Sequence, residues 1–226
     1  MSDPAKREIQ ISKSLAYLLR HGAVKEKLPI DSNGYIPVDV LLRHNRLKSL
    51  KCTKADIDKV VATNSKKRFH LKEEGANTLI CATQGHSIAA IAPAEEVLEQ
   101  IKSPDKLPAK LAHGTNLGNC KLILQSGFIK RMNRNHVHLS PGVTGVDSAV
   151  VSGMRTSSTV IIYLKLDKAL DELRIYKSLN NVYLTPDDIP LNLVEKVTIR
   201  SGQKKNPNID ELLALLSTNE IPFSFY

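Results

Sequence analysis

Apolar residues at helical spacing open the chain. Ile11, Leu15, Leu18 and Leu19 share one helix face, Ser12 and Lys13 begin the polar one, and Gly22 closes the segment. Arg20 and His21 therefore fall at a helix C-terminus, where the backbone dipole favours cations. Asp31-Ser32-Asn33-Gly34 reads as a turn. A second helix is expected over 37–42, with Pro37 in its first turn. A third is expected over 54–63, N-capped by Thr53 and carrying Ile57, Val60 and Val61. The period then changes from helical to alternating. Residues 68–72 and 78–82 read as two strands of a hairpin joined by Glu73-Glu74-Gly75-Ala76-Asn77. Three short helices followed by a hairpin is the winged-helix layout, which by fold-level analogy handles nucleic acids.

Residues 93–108 hold Pro93, Pro104 and Pro108 among charges and show little periodicity. They read as a linker, with the first domain over 1–103 and the second over 104–226. Past the linker the texture turns to strands. A short strand over 111–115 meets a helix from Leu117 to Gln125, stopped by Gly127. Residues 142–155 read as a Gly- and Ser-containing loop around 148–151. The run Thr159-Val160-Ile161-Ile162-Tyr163-Leu164 is continuously apolar and β-branched, as in a central strand. Strands over 181–184 and 194–199 and a closing helix over 209–216 complete an α+β chain with a strand-rich second half.

One stretch stands out for its polar face. In Arg134-Asn135-His136-Val137-His138-Leu139-Ser140-Pro141-Gly142, strand alternation puts Arg134, His136, His138 and Ser140 on one side and Val137 and Leu139 on the other. Pro141-Gly142 ends the strand. The same pattern also suits an edge strand with a solvated polar face, so periodicity alone leaves both readings open.

Composition narrows the choices. The 226 residues carry 32 Lys+Arg against 23 Asp+Glu, a net charge of +9, and the excess is spread over both halves. It is densest from Arg43 to Lys72, where ten basic residues face only Asp56 and Asp58. Such density suits a polyanion partner. Three isolated cysteines, Cys52, Cys81 and Cys120, form no CxxC pair, which excludes a cysteine-built zinc site and fits a reducing compartment, the cytoplasm or nucleus. Neither a secretory h-region nor a membrane-length apolar run is present, so no membrane partner is expected, and the chain is expected to be a monomer.

The dinucleotide fingerprint GxGxxG and the phosphate loop GxxxxGK[ST] are both absent. His136-x-His138 could chelate a metal from one strand face, but no third ligand stands at a sensible spacing, and no metal is expected. Arg20, His21, Arg68, His113, Arg134 and His138 dominate the polar motifs, and carboxylates are missing from them. Arginine presents a permanently charged planar fork that matches phosphate oxygens, and histidine exchanges a proton near neutral pH. Taken singly each is ordinary: Arg20 can cap its helix, Arg68 can be a surface charge, and His21 can be a satisfied surface histidine.

Taken together the motifs are specific. Ser12-Lys13-x-Leu15-x-x-Leu18-Leu19-Arg20-His21, Gly34-Tyr35 with Leu41-Leu42, Arg68-Phe69, Gln84-Gly85-His86-Ser87, His113-Gly114-Thr115, His136-Val137-His138-Leu139-Ser140 and Asn181-Val182-Tyr183-Leu184 occur in this order over about residues 9–200. The chain in this respect resembles the RNA 2′-phosphotransferases, most of all their fungal members of tRNA splicing. The resemblance implies a winged-helix RNA lobe followed by an ADP-ribosyltransferase-like lobe that takes NAD+ as co-substrate. It implies removal of an internal tRNA 2′-phosphate in two steps, through ADP-ribosylated RNA. The products would be 2′-OH RNA, nicotinamide and ADP-ribose 1″,2″-cyclic phosphate.

By position, the resemblance places the essential Arg-His-Arg-Arg set on Arg20, His21, Arg68 and Arg134, the first three in the RNA lobe and the fourth in the NAD+ lobe. It places dinucleotide contacts on His113, Gly114, Thr115, His138 and Ser140, with Arg155 and Asn181 as weaker candidates. Val182 stands where many relatives keep Glu. That absence fits an acceptor that is already an anion, since a phosphate needs no general base to attack. Two other activities stay open at this point: stable ADP-ribosylation of an RNA end or a protein, and RNA binding without catalysis.

Overall fold

The computed structural model describes residues 4–147, 150 and 152–226. The chain forms two compact units. The first comprises residues up to Glu99 together with Asn133–Asn135, and the second comprises Gln100–Met132 and His136–Tyr226.

In the first unit, helix α1 (Pro4–Tyr17) buries Ile11 and Leu15 and runs into one π-helical turn over Leu18–Gly22. The wider turn resets the phase of the helix, as such insertions do, often at functional sites. Leu18 and Leu19 stay fully buried in the core, Arg20 keeps part of its surface open while its Nε and Nη2 are covered, and His21 is partly open to solvent. Gly22 fits this turn for lack of a side chain: a Cβ there would stand 2.5 Å from the Tyr17 ring. Strand β1 (Ile36–Pro37) leads into α2 (Val38–Arg43), with Pro37 as N-cap. A further short helix, α3 (Asn45–Lys48), precedes α4 (Lys54–Thr63). Thr53 and Asp56 close a reciprocal capping box at the start of α4, satisfying donors a helix cannot pair internally.

The hairpin follows as β2 (Phe69–Glu74) and β3 (Asn77–Ala82), paired from Phe69↔Ala82 to Glu74↔Asn77. The unit's sheet runs in the order β1-β3-β2. Its core joins Ile11, Leu15 and Leu18 to Leu41, Ile57 and Phe69.

The second unit is strand-rich. Strand β4 (Leu98–Ile101), over which the chain passes from one unit to the other, lies inside the stretch expected to be a linker with little periodicity. Val97, Leu98 and Ile101 are buried, and three apolar anchors outweigh the flanking prolines. Next come β5 (Ala112–Thr115), α5 (Leu117–Ser126), β6 (Phe128–Ile129) and β7 (Val137–Leu139). Gly127, at φ +78°, ends α5 in a left-handed cap. Strand β8 (Val160–Leu164), α6 (Leu166–Glu172), β9 (Ile175–Ser178) and β10 (Tyr183–Thr185) follow. The chain closes with β11 (Ile189–Pro190), β12 (Val194–Ile199), α7 (Ile209–Thr218) and β13 (Phe223–Phe225).

Two four-stranded sheets result, ordered β4-β9-β10-β7 and β13-β12-β8-β5. The apolar run at 160–164 is an interior strand, as its composition predicts. The core carries Leu111, Leu139, Ile162, Leu164, Ile175 and Leu212. Residues 148, 149 and 151, at the centre of the expected 142–155 loop, lie outside the described residues. No helix among the described residues is long and apolar enough to cross a membrane.

Candidate active site

The first unit gathers three guanidinium groups. Arg20 comes from the π-turn, Arg68 from the residue before β2, and Arg134 from the tripeptide 133–135 that packs with this unit. Gly85 marks where two of them converge: a Cβ built on it would stand 3.5 Å from Arg20 Nε and 3.6 Å from Arg134 Nη1. Gly85 also holds φ at +90°, a conformation that disfavours any side chain.

The electrostatics of Arg20 are unusual. Its Nε and Nη2 are shut off from solvent and have no hydrogen-bond partner. Burial, and then the positive charges of Arg68 and Arg134, push its pKa down from 12.5 to about 10. Arg68 is also lowered by burial, and its Nη1 donates to Asn64 Oδ1 at 3.3 Å. Among the described residues neither Arg20 nor Arg68 pairs with a carboxylate. Bringing like charges together while stripping their water is unfavourable unless an anion arrives.

His21 sits at the same place. Burial, then Arg134 and Arg20, hold its imidazole below the ordinary 6.5, so it is neutral at pH 7. Its Nδ1 lies 2.9 Å from the Ser87 hydroxyl, and the Ser87 amide donates to the Arg20 carbonyl at 3.0 Å. The 84–87 turn therefore orients both Arg20 and His21. The sequence motif flagged that turn but could not say what it touches.

Arg134 corrects the alternation argument. The strand expected over 134–140 contracts to Val137–Leu139. Val137 and Leu139 are buried as anticipated, but Arg134 and Asn135 leave the strand and belong to the other unit. Asn135 explains the departure. Its amide donates to the carbonyls of Ile88 at 2.9 Å and Ile91 at 3.1 Å, and its backbone N–H donates to the His86 carbonyl at 2.9 Å. Three bonds to one loop outweigh continued pairing in a sheet.

The second unit holds the remaining candidates. Ala112 and Ser140 form a bridge of two backbone hydrogen bonds, 2.9 and 2.8 Å, that links β5 to the end of β7. Next to it His113 Nδ1 donates to the His138 carbonyl at 3.0 Å. A carbonyl can only accept, so the His113 proton sits on Nδ1 and Nε2 is left as an acceptor. Burial lowers the His113 pKa, which keeps the ring neutral. The Ser140 hydroxyl is fully buried and has no hydrogen-bond partner. Its side chain lies under Gly153, where an added Cβ would stand 3.3 Å away. Gly114 is tight as well: a Cβ would come within 2.3 Å of Met154 Cγ and 2.8 Å of Ser158 Oγ. His138 Nδ1 lies 3.2 Å from the His136 carbonyl, Thr115 is buried, and Arg155 is exposed. Asn181 is an exposed turn residue at φ +57°, and Val182 beside it is buried. A neutral imidazole acceptor and an unsatisfied buried hydroxyl fit a ligand that offers hydroxyl and amide groups.

Three arginines drawn together, one of them with buried and unpartnered guanidinium nitrogens, beside a histidine are the chemistry that suits a phosphate-type anion. Comparison with known proteins supplies the particular class. The model of the RNA 2′-phosphotransferase, Tpt1 / KptA family matches residues 6–187, and the chain belongs to that family of enzymes. It is similar to the tRNA 2′-phosphotransferase of Saccharomyces cerevisiae, 50% identical over 220 residues that cover 96% of this chain and 95% of the relative. It is also similar to tRNA 2′-phosphotransferase 1 of Bos taurus, 40% identical over 80% of this chain and 69% of the relative. A bacterial relative, described as a probable RNA 2′-phosphotransferase of Trichormus variabilis, is 35% identical over 81% of this chain and 93% of its own. The family read from the ordered motifs is the family found.

Proposed function

We propose that this enzyme removes the 2′-phosphate left at a tRNA splice junction, consuming NAD+ as a co-substrate. NAD+ supplies the ribose carbon that accepts the phosphate, with nicotinamide as leaving group. In this reading the first unit is a winged-helix RNA lobe and the second an ADP-ribosyltransferase-like lobe.

Arg20, Arg68 and Arg134 hold the oxygens of the 2′-phosphate. Their charge offsets what builds on those oxygens as the phosphate is esterified and then attacked by the neighbouring hydroxyl, an effect worth about 2.7–4 kcal/mol for each well-placed donor. The first step needs no base, because the nucleophile is already ionised. In the second step an RNA oxygen leaves as an alkoxide and must be protonated. In this reading His21, whose Nδ1 lies 2.9 Å from the Ser87 hydroxyl, moves that proton. Binding the anion raises the His21 pKa, so the substrate itself readies the acid. His113, Gly114, Thr115, His138 and Ser140, with Arg155, are the groups that would hold NAD+. His113 Nε2 and the Ser140 hydroxyl would take its polar groups.

The observation that carries the reading is the pair of buried, unsatisfied nitrogens on Arg20. The test is to incubate 2′-phosphorylated RNA with the enzyme and NAD+. Release of the cyclic ADP-ribose phosphate with 2′-OH RNA supports the reading. A stable ADP-ribosylated RNA, or RNA bound and unchanged, contradicts it.

A further inference from the structure

Arg134 is the one member of the cluster that comes from far along the chain, on the tripeptide 133–135 that packs with the first unit. Its neighbour Asn135 ties that tripeptide down. Asn135 spends its side-chain amide on the Ile88 and Ile91 carbonyls, 2.9 and 3.1 Å, and its backbone N–H on the His86 carbonyl, 2.9 Å. The loop it grips begins with Gly85, which lies against the arginines, and with Ser87, which touches His21. A two-donor, planar group of this length is what the position demands. Aspartate would set acceptors against two carbonyls, and serine is too short to span both.

We infer that Asn135 is a positioning residue for the phosphate site. It registers the tripeptide 133–135 on the 86–91 loop, so that Arg134 enters the cluster at the place where Arg20 and His21 are already held. This deepens the reading above and rests on Arg134 holding the phosphate.

The test compares Asn135→Ala, Asn135→Ser, Arg134→Ala and the double variant Arg134→Ala/Asn135→Ala in the full chain. Asn135→Ala is expected to lower kcat about 10- to 100-fold, the scale of a misplaced catalytic group, with KM for NAD+ within about twofold. In the Arg134→Ala background the same change is expected to remove nothing further, because its effect runs through Arg134. The rise in melting temperature given by inorganic phosphate should be lost in both single variants. A merely structural asparagine would lower the melting temperature of the free protein and leave that phosphate-dependent rise intact. Asn135→Ser should show the same loss of turnover, and it serves as the readout if the alanine variant does not fold. Wild-type turnover in Asn135→Ser, a retained phosphate response, or a full further loss in the double variant would each overturn the role given to Asn135. Unchanged turnover in Arg134→Ala would overturn the reading of the cluster itself.

Discussion

The first unit contains two kinds of arginine. Arg7 forms a bidentate pair with Asp56, 2.8 Å on both arms, and also donates to the carbonyls of Leu50 and Lys51. Its pKa is raised, chiefly by the Asp56 hydrogen bond, and that of Asp56 falls well below the usual carboxylate range, chiefly through Arg7. Arg20, on the turn that ends the same helix, is buried beside two other arginines and falls to about 10. The two share a residue type and differ in surroundings: Arg7 is satisfied by the fold, whereas Nε and Nη2 of Arg20 are buried without a hydrogen-bond partner. An arginine held at the expense of stability implies a ligand that repays it.

The largest expected break in this comparison is Arg20→Met. Removing the buried charge should raise stability by about 1–3 kcal/mol, by the logic of replacing buried ions with apolar groups of similar size. Turnover should fall at least about 100-fold, as when a transition-state donor is lost. Urea unfolding and a turnover assay read the two effects, which must move in opposite directions.

The opposite behaviour is expected at the other arginine. Asp56→Ala leaves the Thr53 cap on the residue-56 amide in place but removes the return bond to Thr53 and the partner of Arg7, with a loss of about 1–2 kcal/mol. Turnover of the folded fraction should be unchanged. A loss of turnover beyond the loss of folded protein would erase the distinction between the two sites.

A smaller effect sharpens the comparison through His21. Its folded pKa lies below the ordinary 6.5, so on acidification the unfolded chain takes up the proton first. Its contribution to stability is complete above pH 6.5 and is lost as pH falls through the folded value. His113 and His136 are lowered too and act in the same direction. NMR titration of the His21 ring should show its pKa rising when inorganic phosphate binds, while that of His113 stays put. Equal movement of both would argue against a phosphate site specific to His21.

The smallest effect concerns salt. Arg43, Lys54 and Lys59, within the basic stretch, are ion-paired to Asp39, Asp58 and Glu8. Arg68→Ala should therefore reduce the slope of log affinity for RNA against log salt by about 1, and Lys54→Ala should leave it nearly unchanged. Equal changes would mean that the paired lysines also reach the RNA backbone.

Much of this was legible in the sequence, and the pattern of misses has a physical cause. Local signals suffice for Thr53 capping a helix over 54–63, Gly127 ending α5, and the β-branched run at 160–164 as an interior strand. The π-turn at 18–22 looks like an ordinary helix end in the sequence, because apolar spacing cannot register a single inserted residue. The strand hidden at 98–101 was lost behind its prolines. Alternation puts Arg134 on a strand face because it is blind to a side chain such as Asn135 that finds better partners elsewhere. The identities of the clustered residues came from ordered motifs. What the sequence could not supply was the unsatisfied state of Arg20, since burial and missing partners exist only once the chain is folded.

The most direct test is urea unfolding of the wild-type protein and of Arg20→Met, each with and without inorganic phosphate. The account predicts that Arg20→Met is the more stable of the two in the absence of phosphate, and that phosphate stabilises the wild type alone. An Arg20→Met protein that is less stable than wild type without phosphate, or that gains as much from phosphate, would contradict it.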